Sequence, residues 1–169
     1  MPAPNSALRV VIVGAGIQGL AVALLMTETA LSSSIKIYSC EPVLGTTSAV
    51  AGGLIEPGFL PEYDDRIGQW FAASRRRLRA MLADPAWYIK TSPVQVLWRQ
   101  DPGAPPWAGL VDDFTSSPSS RPPYVQAWSY TTEIVETPRH LQELARRVTA
   151  RGVQIVQRNV SDARTLNAI

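Results

Sequence analysis

A glycine-rich turn between a strand pattern and a helix pattern carries the clearest chemistry in the sequence. Gly14, Gly16 and Gly19 have the spacing G-x-G-x-x-G, and Ile17 and Gln18 fill the two positions before the last glycine. The first glycine allows a tight turn, the second lets the backbone approach a pyrophosphate, and the third lets the helix pack on the strand. The N-terminus of the helix attracts the negative phosphates. The turn therefore predicts dinucleotide binding, with a plain tight turn as the alternative.

The residue that would bind the ribose of this nucleotide follows the second predicted strand. Glu41 lies about 20–25 positions after the glycine turn, where a ribose-binding carboxylate is expected. It could instead be a solvated acid in a loop, and Cys40 could occupy the equivalent position. No basic residue lies near Cys40 in the sequence, so we expect a small buried side chain there, not a reactive thiol.

The glycine turn is expected to lie inside a βαβ unit. Residues 9–13 (RVVIV) lack polar alternation, which predicts a strand buried on both faces. Apolar residues at helical spacing continue from Ile17 to about Thr29, and residues 34–39 (SIKIYS) predict the next strand. Strand, glycine turn, helix and strand in about 30 residues is the context that a nucleotide-binding turn requires.

Two more helices are predicted along the chain. Asp64 or Asp65 is expected to cap a helix that continues to Asp84, where Pro85 ends it. Thr137 is the expected cap of the last helix, with Pro138 at its first position and Gly152 closing it. Further strands are expected at 94–99, 125–135 and 153–157, and irregular loops at 42–63 and at the proline-rich 101–123.

Composition excludes several classes of protein. The 169 residues are 46% hydrophobic and 18% charged, which excludes a disordered chain, and the net charge of +2 is too small to indicate a nucleic-acid partner. The longest apolar runs are too short to cross a membrane, and we expect no signal peptide. We therefore expect a soluble cytoplasmic protein, with the peroxisome as the alternative if the organism is eukaryotic and a partner carries the signal.

The remaining polar residues offer weaker candidates. His140 is the single histidine and lies away from the apolar stripe of its helix, so a surface or partly packed role is expected in preference to catalysis. No His, Cys and Asp cluster has metal-ligand spacing, and no metal site is predicted. A basic run on the second helix predicts a solvated face, with phosphate or partner binding as the alternative; it consists of Arg75, Arg76, Arg77 and Arg79.

A second stretch of sequence is more specific than the glycine turn. Residues 45–57 read GTTSAVAGGLIEP, and residues 10–20 read VVIVGAGIQGL. Together these segments resemble the N-terminal half of the D-amino-acid oxidase family, whose members are FAD-dependent amine oxidases. The resemblance continues in order over nearly the whole chain, with further matches at 91–94, 97–99, 128–134 and 139–153.

This resemblance implies FAD as the cofactor and assigns roles to individual residues. The three glycines, with Ile17 and Gln18, would hold the pyrophosphate, and either Glu41 or Cys40 would lie near the adenosine ribose. The other implied contacts are Thr46, Thr47 and Ser48 along the phosphate and ribityl region, Gly53 and Leu54 through their backbone at the isoalloxazine ring, and Val160 at the adenine.

Glu56 departs from the family pattern. The family usually has glutamine at this position, which the resemblance places close to where substrate would enter. An acidic side chain there would bias the site towards a cationic amine. No other residue in this half is a candidate acid or base, and hydride transfer needs mainly alignment of the reactants.

The resemblance implies an α/β fold built from two sheets. Strands 9–13, 34–39 and 153–157 would form an incomplete, parallel, Rossmann-like FAD-binding sheet, and strands between 87 and 135 would start a mixed sheet of a substrate domain. The corresponding domain boundaries are 1–60 for the βαβ unit and flavin-contact loop, 61–86 for a helical segment, 87–136 for part of the substrate domain, and 137–169 for the return to the FAD-binding domain.

The implied function is oxidation of the carbon–nitrogen bond of an amino acid or amine. Hydride would pass to flavin N5, and O₂ would then reoxidise the flavin to give hydrogen peroxide. Relatives are about twice as long, so the rest of the fold is expected on a complementary C-terminal chain, in a heterodimer formed by a split enzyme. The start at Met1 and the ordered 169 residues favour this natural subunit over a truncated fragment.

Two other function classes remain open from the sequence. The chain could be a non-catalytic half that binds a nucleotide or a partner, either as a pseudoenzyme or as a truncated product. An NAD-dependent reductase would use the same glycine turn, but it would have no need of the stretch between Thr46 and Pro57 that lies along a flavin.

Overall fold

The computed structural model describes residues 8–29, 34–57 and 63–160, which form two compact units. The first unit consists of 1–52 with 137–169, and the second unit consists of Gly53–Glu136. The elements in chain order are β1 (Arg9–Val13), α1 (Ile17–Glu28), β2 (Ser34–Ser39), α2 (Asp65–Met81), β3 (Ile89–Trp98), β4 (Asp112–Pro118), β5 (Gln126–Val135), α3 (Thr137–Ala150) and β6 (Gln154–Gln157).

The sheet of the first unit is parallel, with the strand order β1-β2-β6. This confirms the predicted βαβ unit and the Rossmann-like sheet. Helices α1 and α3 pack against each other through buried apolar residues, among them Leu20, Leu24, Leu141 and Val148. Gly152 ends α3 with a φ of +88°, as its position in the sequence predicts.

The prediction that β1 is buried on both faces is wrong. Val10 and Ile12 are half-buried, whereas Val11 and Val13 are 44% and 56% exposed. Ile12 faces α1, since a Cβ added to Gly19 would lie 3.3 Å from its Cγ2. Val11 and Val13 lie on the opposite face of this edge strand, which the described residues leave open to solvent.

The sheet of the second unit has the order β3-β5-β4 and is antiparallel. The second sheet expected from strands between 87 and 135 is therefore present, and its described strands pair antiparallel. Strand β3 starts five residues earlier than predicted and includes Pro93, which is tolerated because β3 is an edge strand. Strand β4 lies inside the predicted loop 101–123, because its pairing with β5 overrides the low strand propensity of a polar segment.

Aromatic side chains form the core of the second unit. Its buried cluster consists of Phe71, Trp107, Val111, Trp128 and Tyr130. The Trp107 ring centroid lies 5.5 Å from that of Tyr130 and 5.8 Å from that of Trp128, with edge-to-face geometry in both pairs. Such contacts stabilise aromatic pairs beyond the area that they bury. Tyr130 is thus held in a fixed position.

Helix α2 begins as predicted but ends three residues early. The Asp64 carboxylate accepts hydrogen bonds from the amides of Arg66 and Ile67, at 2.9 and 3.1 Å, and caps the helix. The Arg66 guanidinium, as the largest cause, lowers the pKa of Asp64. Asp84 does not continue the helix, because its carboxylate accepts from the Ala86 amide and caps the short turn that follows.

The arginine run on α2 is not the uniformly solvated face that its sequence predicts. Arg76 and Arg77 are exposed, but Arg75 is buried and its Nε lies 2.7 Å from Oε2 of Glu133. Nε of Arg79 lies 2.7 Å from the other oxygen of the same carboxylate. Burial by itself raises the pKa of Glu133, but the two guanidinium groups outweigh it and the net shift is downward.

The expectation for His140 is also wrong. Its side chain is 3% exposed and lies within α3 of the first unit, next to the buried Leu141. The apolar stripe of this helix is wider than the spacing of leucine and valine alone indicates, so a polar residue at its edge is buried as well.

Replacing Arg75 with methionine should destabilise the protein strongly. The variant keeps much of the buried side-chain volume but removes one of the two cations that compensate for the buried charge of Glu133. Removing one partner of a buried ion pair costs about 3 kcal/mol. We expect this loss in the free energy of unfolding measured by urea denaturation. Arg76→Met is the matched control on the exposed side, and a change of similar size there would contradict the assignment.

Stability should fall in acid through Glu143 on α3. Hydrogen bonds from Arg146, and then from Arg147, outweigh burial and lower the pKa of Glu143 to about 2, against an ordinary value of 4.5. A lowered pKa in the folded state stabilises the protein above pH 4.5, and this contribution is lost as the pH falls towards 2. Glu143→Gln should flatten the pH dependence of the unfolding free energy between pH 5 and 2; an unchanged slope would contradict it.

Candidate functional site

The glycine turn joins β1 to α1 in a conformation that larger residues disfavour. Gly14 has a φ of +104°, and its amide donates a 2.7 Å hydrogen bond to the carbonyl of Tyr38 on β2. A Cβ added to Gly19 would lie 2.0 Å from the carbonyl oxygen of Gly14. The first and third glycines thus allow the turn and the close packing of the helix, as the spacing predicts.

The N-terminus of α1 is free of acidic groups. Gly16 is its cap residue and provides no side-chain hydrogen bond, and no acidic residue lies in the first turn. The amide of Ile17 donates to Oγ of Ser48 at 3.0 Å. Ile17 and Gln18 are exposed. The positive end of the helix dipole therefore faces solvent and can receive an anionic group.

Ser48 and its neighbours come to this turn on two short 3₁₀ turns, Val43–Gly45 and Thr47–Val50. The loop predicted here is therefore partly regular. A Cβ added to Gly16 would lie 2.8 Å from Oγ of Ser48, so the second glycine leaves room for this hydroxyl. The hydroxyl of Thr46 donates to the carbonyl of Val43 at 2.7 Å, and Thr47 is exposed.

Helix α3 positions this segment from the other side. The hydroxyl of Thr137 donates to the carbonyls of Ala51 and Ala49, at 3.0 and 3.3 Å. The local sequence predicts Thr137 as the cap before α3, but the helix begins at Thr137 itself. Its hydrogen bonds to carbonyls 86 and 88 positions away hold the segment around Ser48 in the first unit. This part of the site depends on tertiary contact.

The predicted ribose-binding residues lie at the carboxyl edge of the parallel sheet, as the glycine turn does. Val13 pairs with Tyr38, so Cys40 and Glu41 follow β2 at the edge where Gly14 follows β1. Both are exposed, and the prediction that Cys40 is buried is wrong, because it lies beyond the last paired residue of β2. Val160, which is half-buried, follows β6 at the same edge. Ligands of open parallel sheets bind at this edge.

In the second unit, the segment before Glu56 pairs with the sheet. Leu54 forms an antiparallel bridge with Ile134, and the amide of Val135 donates to the carbonyl of Gly53 at 2.9 Å. The amide of Ile55 donates to the carbonyl of Glu133 at 3.1 Å. Residues 53–55 thus have a fixed backbone, which the composition of the segment does not predict.

Glu56 lies next to a buried tyrosine. The hydroxyl of Tyr130 donates a hydrogen bond to Oε2 of Glu56, whose side chain is half-buried. Burial first, and then the Glu56 carboxylate, raise the pKa of Tyr130 well above its usual value, so its hydroxyl is a proton donor at neutral pH. No local sequence pattern marks Tyr130 and Thr132, which contact this segment from 74 and 77 positions away.

Metal binding has no support within the described ranges. No group of three or more His, Cys, Asp or Glu side chains there could hold a metal ion. None of the helices at 8–29, 34–57 and 63–160 is long and apolar enough to cross a membrane. The residues that converge in the first unit are instead backbone amides, small residues and hydroxyls, a donor set that suits phosphate and sugar groups.

Comparison with protein families identifies the family to which the chain belongs. The family model for FAD-dependent oxidoreductases of the DAO family matches residues 9–168. The chain is a member of this family. FAD is the cofactor of the family, and the open helix N-terminus, with the glycines and Ser48 around it, fits a dinucleotide of this kind.

Two curated relatives of this chain are amino-acid oxidases. The chain is 29% identical to a D-amino-acid oxidase from Rubrobacter xylanophilus over 156 residues, covering 90% of this chain and 47% of the relative. It is 28% identical to human D-aspartate oxidase, covering 91% and 48%. The chain therefore spans about half the length of the curated relatives that it matches.

Solved structures support the same fold at low identity. Glycine oxidase from Bacillus cereus superposes with a TM-score of 0.63 at 15% identity, over 88% of this chain and 46% of that one. The L-α-glycerophosphate oxidase from Mycoplasma pneumoniae, solved with FAD bound, has a TM-score of 0.66 at 14% identity, over 88% and 44%. These similarities confirm the Rossmann-like α/β fold of the family member.

A methyl group at Gly19 should disrupt the turn of this DAO-family chain. In Gly19→Ala the new Cβ meets a backbone oxygen that cannot move aside, and we expect a loss of about 2 kcal/mol or more in unfolding free energy. Gly52→Ala is the control, because open space surrounds Gly52 and its stability should stay the same or rise by up to about 1 kcal/mol. Equal thermal midpoints for the two variants would contradict the tight packing at Gly19.

Proposed function

We propose that this chain forms the FAD-binding half of an enzyme that oxidises the carbon–nitrogen bond of an amino acid or amine. The observation that carries the proposal is the family match over residues 9–168, together with a helix N-terminus at the glycine turn whose cap residue, Gly16, has no side chain and whose first turn has no acidic residue. The curated relatives, a D-amino-acid oxidase and a D-aspartate oxidase, support an amino-acid substrate.

The chain's own residues bind and orient the cofactor in this proposal. Amides at the start of α1 and the hydroxyl of Ser48 would hold the pyrophosphate, with Thr46 and Thr47 beside them. Either Cys40 or Glu41 would approach the ribose. The remaining proposed contacts are Val160 at the adenine and the backbone of Gly53 and Leu54 at the flavin ring.

The chemistry that FAD supplies when bound is acceptance of a hydride from the substrate carbon that bears the nitrogen, with O₂ as the final acceptor and hydrogen peroxide as the product. The substrate nitrogen loses a proton as the carbon–nitrogen bond becomes an imine. The protein contributes alignment, and the paired backbone of residues 53–55 provides a rigid position next to Glu56.

We also propose that a complementary chain supplies the rest of the fold and covers the open face of the parallel sheet. This face carries Val11 and Val13, with Lys36 opposite Val11 and Gln154 opposite Lys36, and all four side chains are exposed. Parallel sheets are found almost only with both faces covered. The chain spans 47–48% of its curated relatives, whose remaining half is of comparable length.

Co-purification with the complementary half should give a coloured complex. We expect the wild-type chain, expressed together with the product of an adjacent gene, to show flavin absorbance and a native mass well above its own 18.4 kDa. Val13→Asp should prevent assembly and reduce the flavin content, because it places a charge on the open face. Native mass spectrometry and the visible spectrum measure both.

Val125→Asp is the matched control for this experiment. Val125 is similarly exposed but belongs to the second unit, so its substitution should leave assembly and colour unchanged. A colourless 18.4 kDa chain under all conditions would contradict the proposed function. A flavin-containing monomer would retain the FAD proposal and overturn the proposed partner.

A further inference from the structure

The carboxylate of Glu56 differs from the arginine-paired carboxylates of the second unit. Asp64 is paired with Arg66, and both Asp112 and Glu133 are paired with arginines of α2. Glu56 has the Tyr130 hydroxyl as its hydrogen-bond donor and no arginine or lysine among the described residues. The residues that follow it at 58–62 (GFLPE) contain no basic side chain either.

The position of this carboxylate is fixed from two directions. Its backbone follows the paired segment 53–55, where the Thr132 hydroxyl also donates to the carbonyl of Ile55 at 2.7 Å. Its side chain is held by Tyr130, which is packed edge-to-face against Trp107. A charge on such a rigid support can recognise a ligand at little cost in side-chain entropy.

The Glu56 carboxylate can accept more hydrogen bonds than the one that Tyr130 donates. An ionised carboxylate accepts about four hydrogen bonds, and the neutral phenol of Tyr130 supplies one of them. Partial burial weakens its hydration without providing an opposite charge. A ligand ammonium or guanidinium group could donate to the second oxygen, Oε1, and form a charge-assisted hydrogen bond there.

We propose that Glu56, held by Tyr130, binds a positively charged group of the substrate, so that the preferred substrates are amines or amino acids with a second cationic group. This inference rests on the proposed oxidation of a carbon–nitrogen bond and names the substrate class of that same site. Glutamate contributes specificity here, and Tyr130 is a positioning residue. Acidic amino acids are repelled by the same charge.

Direct titration tests this proposal without relying on turnover. The protein, with its complementary chain where one co-purifies and with FAD added, is titrated calorimetrically with three probes: 1,5-diaminopentane, butylamine and D-aspartate. We expect the diamine to bind at least about tenfold more tightly than the monoamine, and D-aspartate to bind most weakly. One charge-assisted hydrogen bond accounts for a factor of this size.

Three variants separate charge, position and background. Glu56→Gln keeps an acceptor for the Tyr130 hydroxyl but removes the charge, and it should abolish the preference for the diamine. Tyr130→Phe keeps the charge but releases its anchor, and it should reduce the preference about threefold, because the carboxylate samples other rotamers. Asp101→Asn removes a charge from an exposed loop of the same unit and should have no effect.

The titration distinguishes failure of the Glu56 assignment from failure of the proposed oxidase function. If the wild-type protein binds no probe, or if Glu56→Gln retains the diamine preference, the assignment of Glu56 is overturned, whether or not FAD binds. Absence of flavin binding with a diamine preference that depends on Glu56 would instead overturn the proposed oxidase and leave the cation site. Thermal unfolding of each variant checks that the fold is intact.

Discussion

Glu133 connects the two features on which the second unit depends. Its side chain is inaccessible to solvent and accepts hydrogen bonds from Arg75 and Arg79, which ties α2 to β5. Its backbone carbonyl accepts the amide of Ile55, which ties the segment before Glu56 to the same strand. A buried carboxylate persists only where cations and hydrogen bonds compensate for lost hydration. The helix and the segment next to Glu56 are thus fixed by one residue.

The first unit depends on steric fit instead of ion pairing. Gly19 allows α1 to approach the backbone at Gly14. The hydroxyl of Ser48 accepts a hydrogen bond from the amide of Ile17, which has no partner within the helix. Thr137 donates hydrogen bonds to the carbonyls of Ala49 and Ala51 and so holds the segment that places Ser48 at the N-terminus of α1. This arrangement suits the cofactor of the family to which the chain belongs.

Carboxylates within the second unit are compensated in two different ways. Arginines neutralise Glu133 and Asp112 where these residues have structural roles. Glu56 receives only a neutral hydroxyl from within the described residues. A half-buried carboxylate on a rigid segment, with no cationic partner among the described residues, supports the proposed role of Glu56 in binding. In the proposed complex, a cationic group of the substrate would provide the opposite charge for Glu56.

The sequence by itself determined the features that depend on neighbours in the chain. The turn at Gly14, the βαβ unit and the cap at Asp64 follow from local sterics and hydrogen bonding, and the family motifs identified the cofactor. Tertiary structure alone decided which arginine of the run is buried, that the polar segment 112–118 becomes a strand, and that Tyr130 reaches Glu56. These outcomes depend on contacts between residues that are 35 to 74 positions apart, or on pairing with β5, and no periodicity in a short window carries that information.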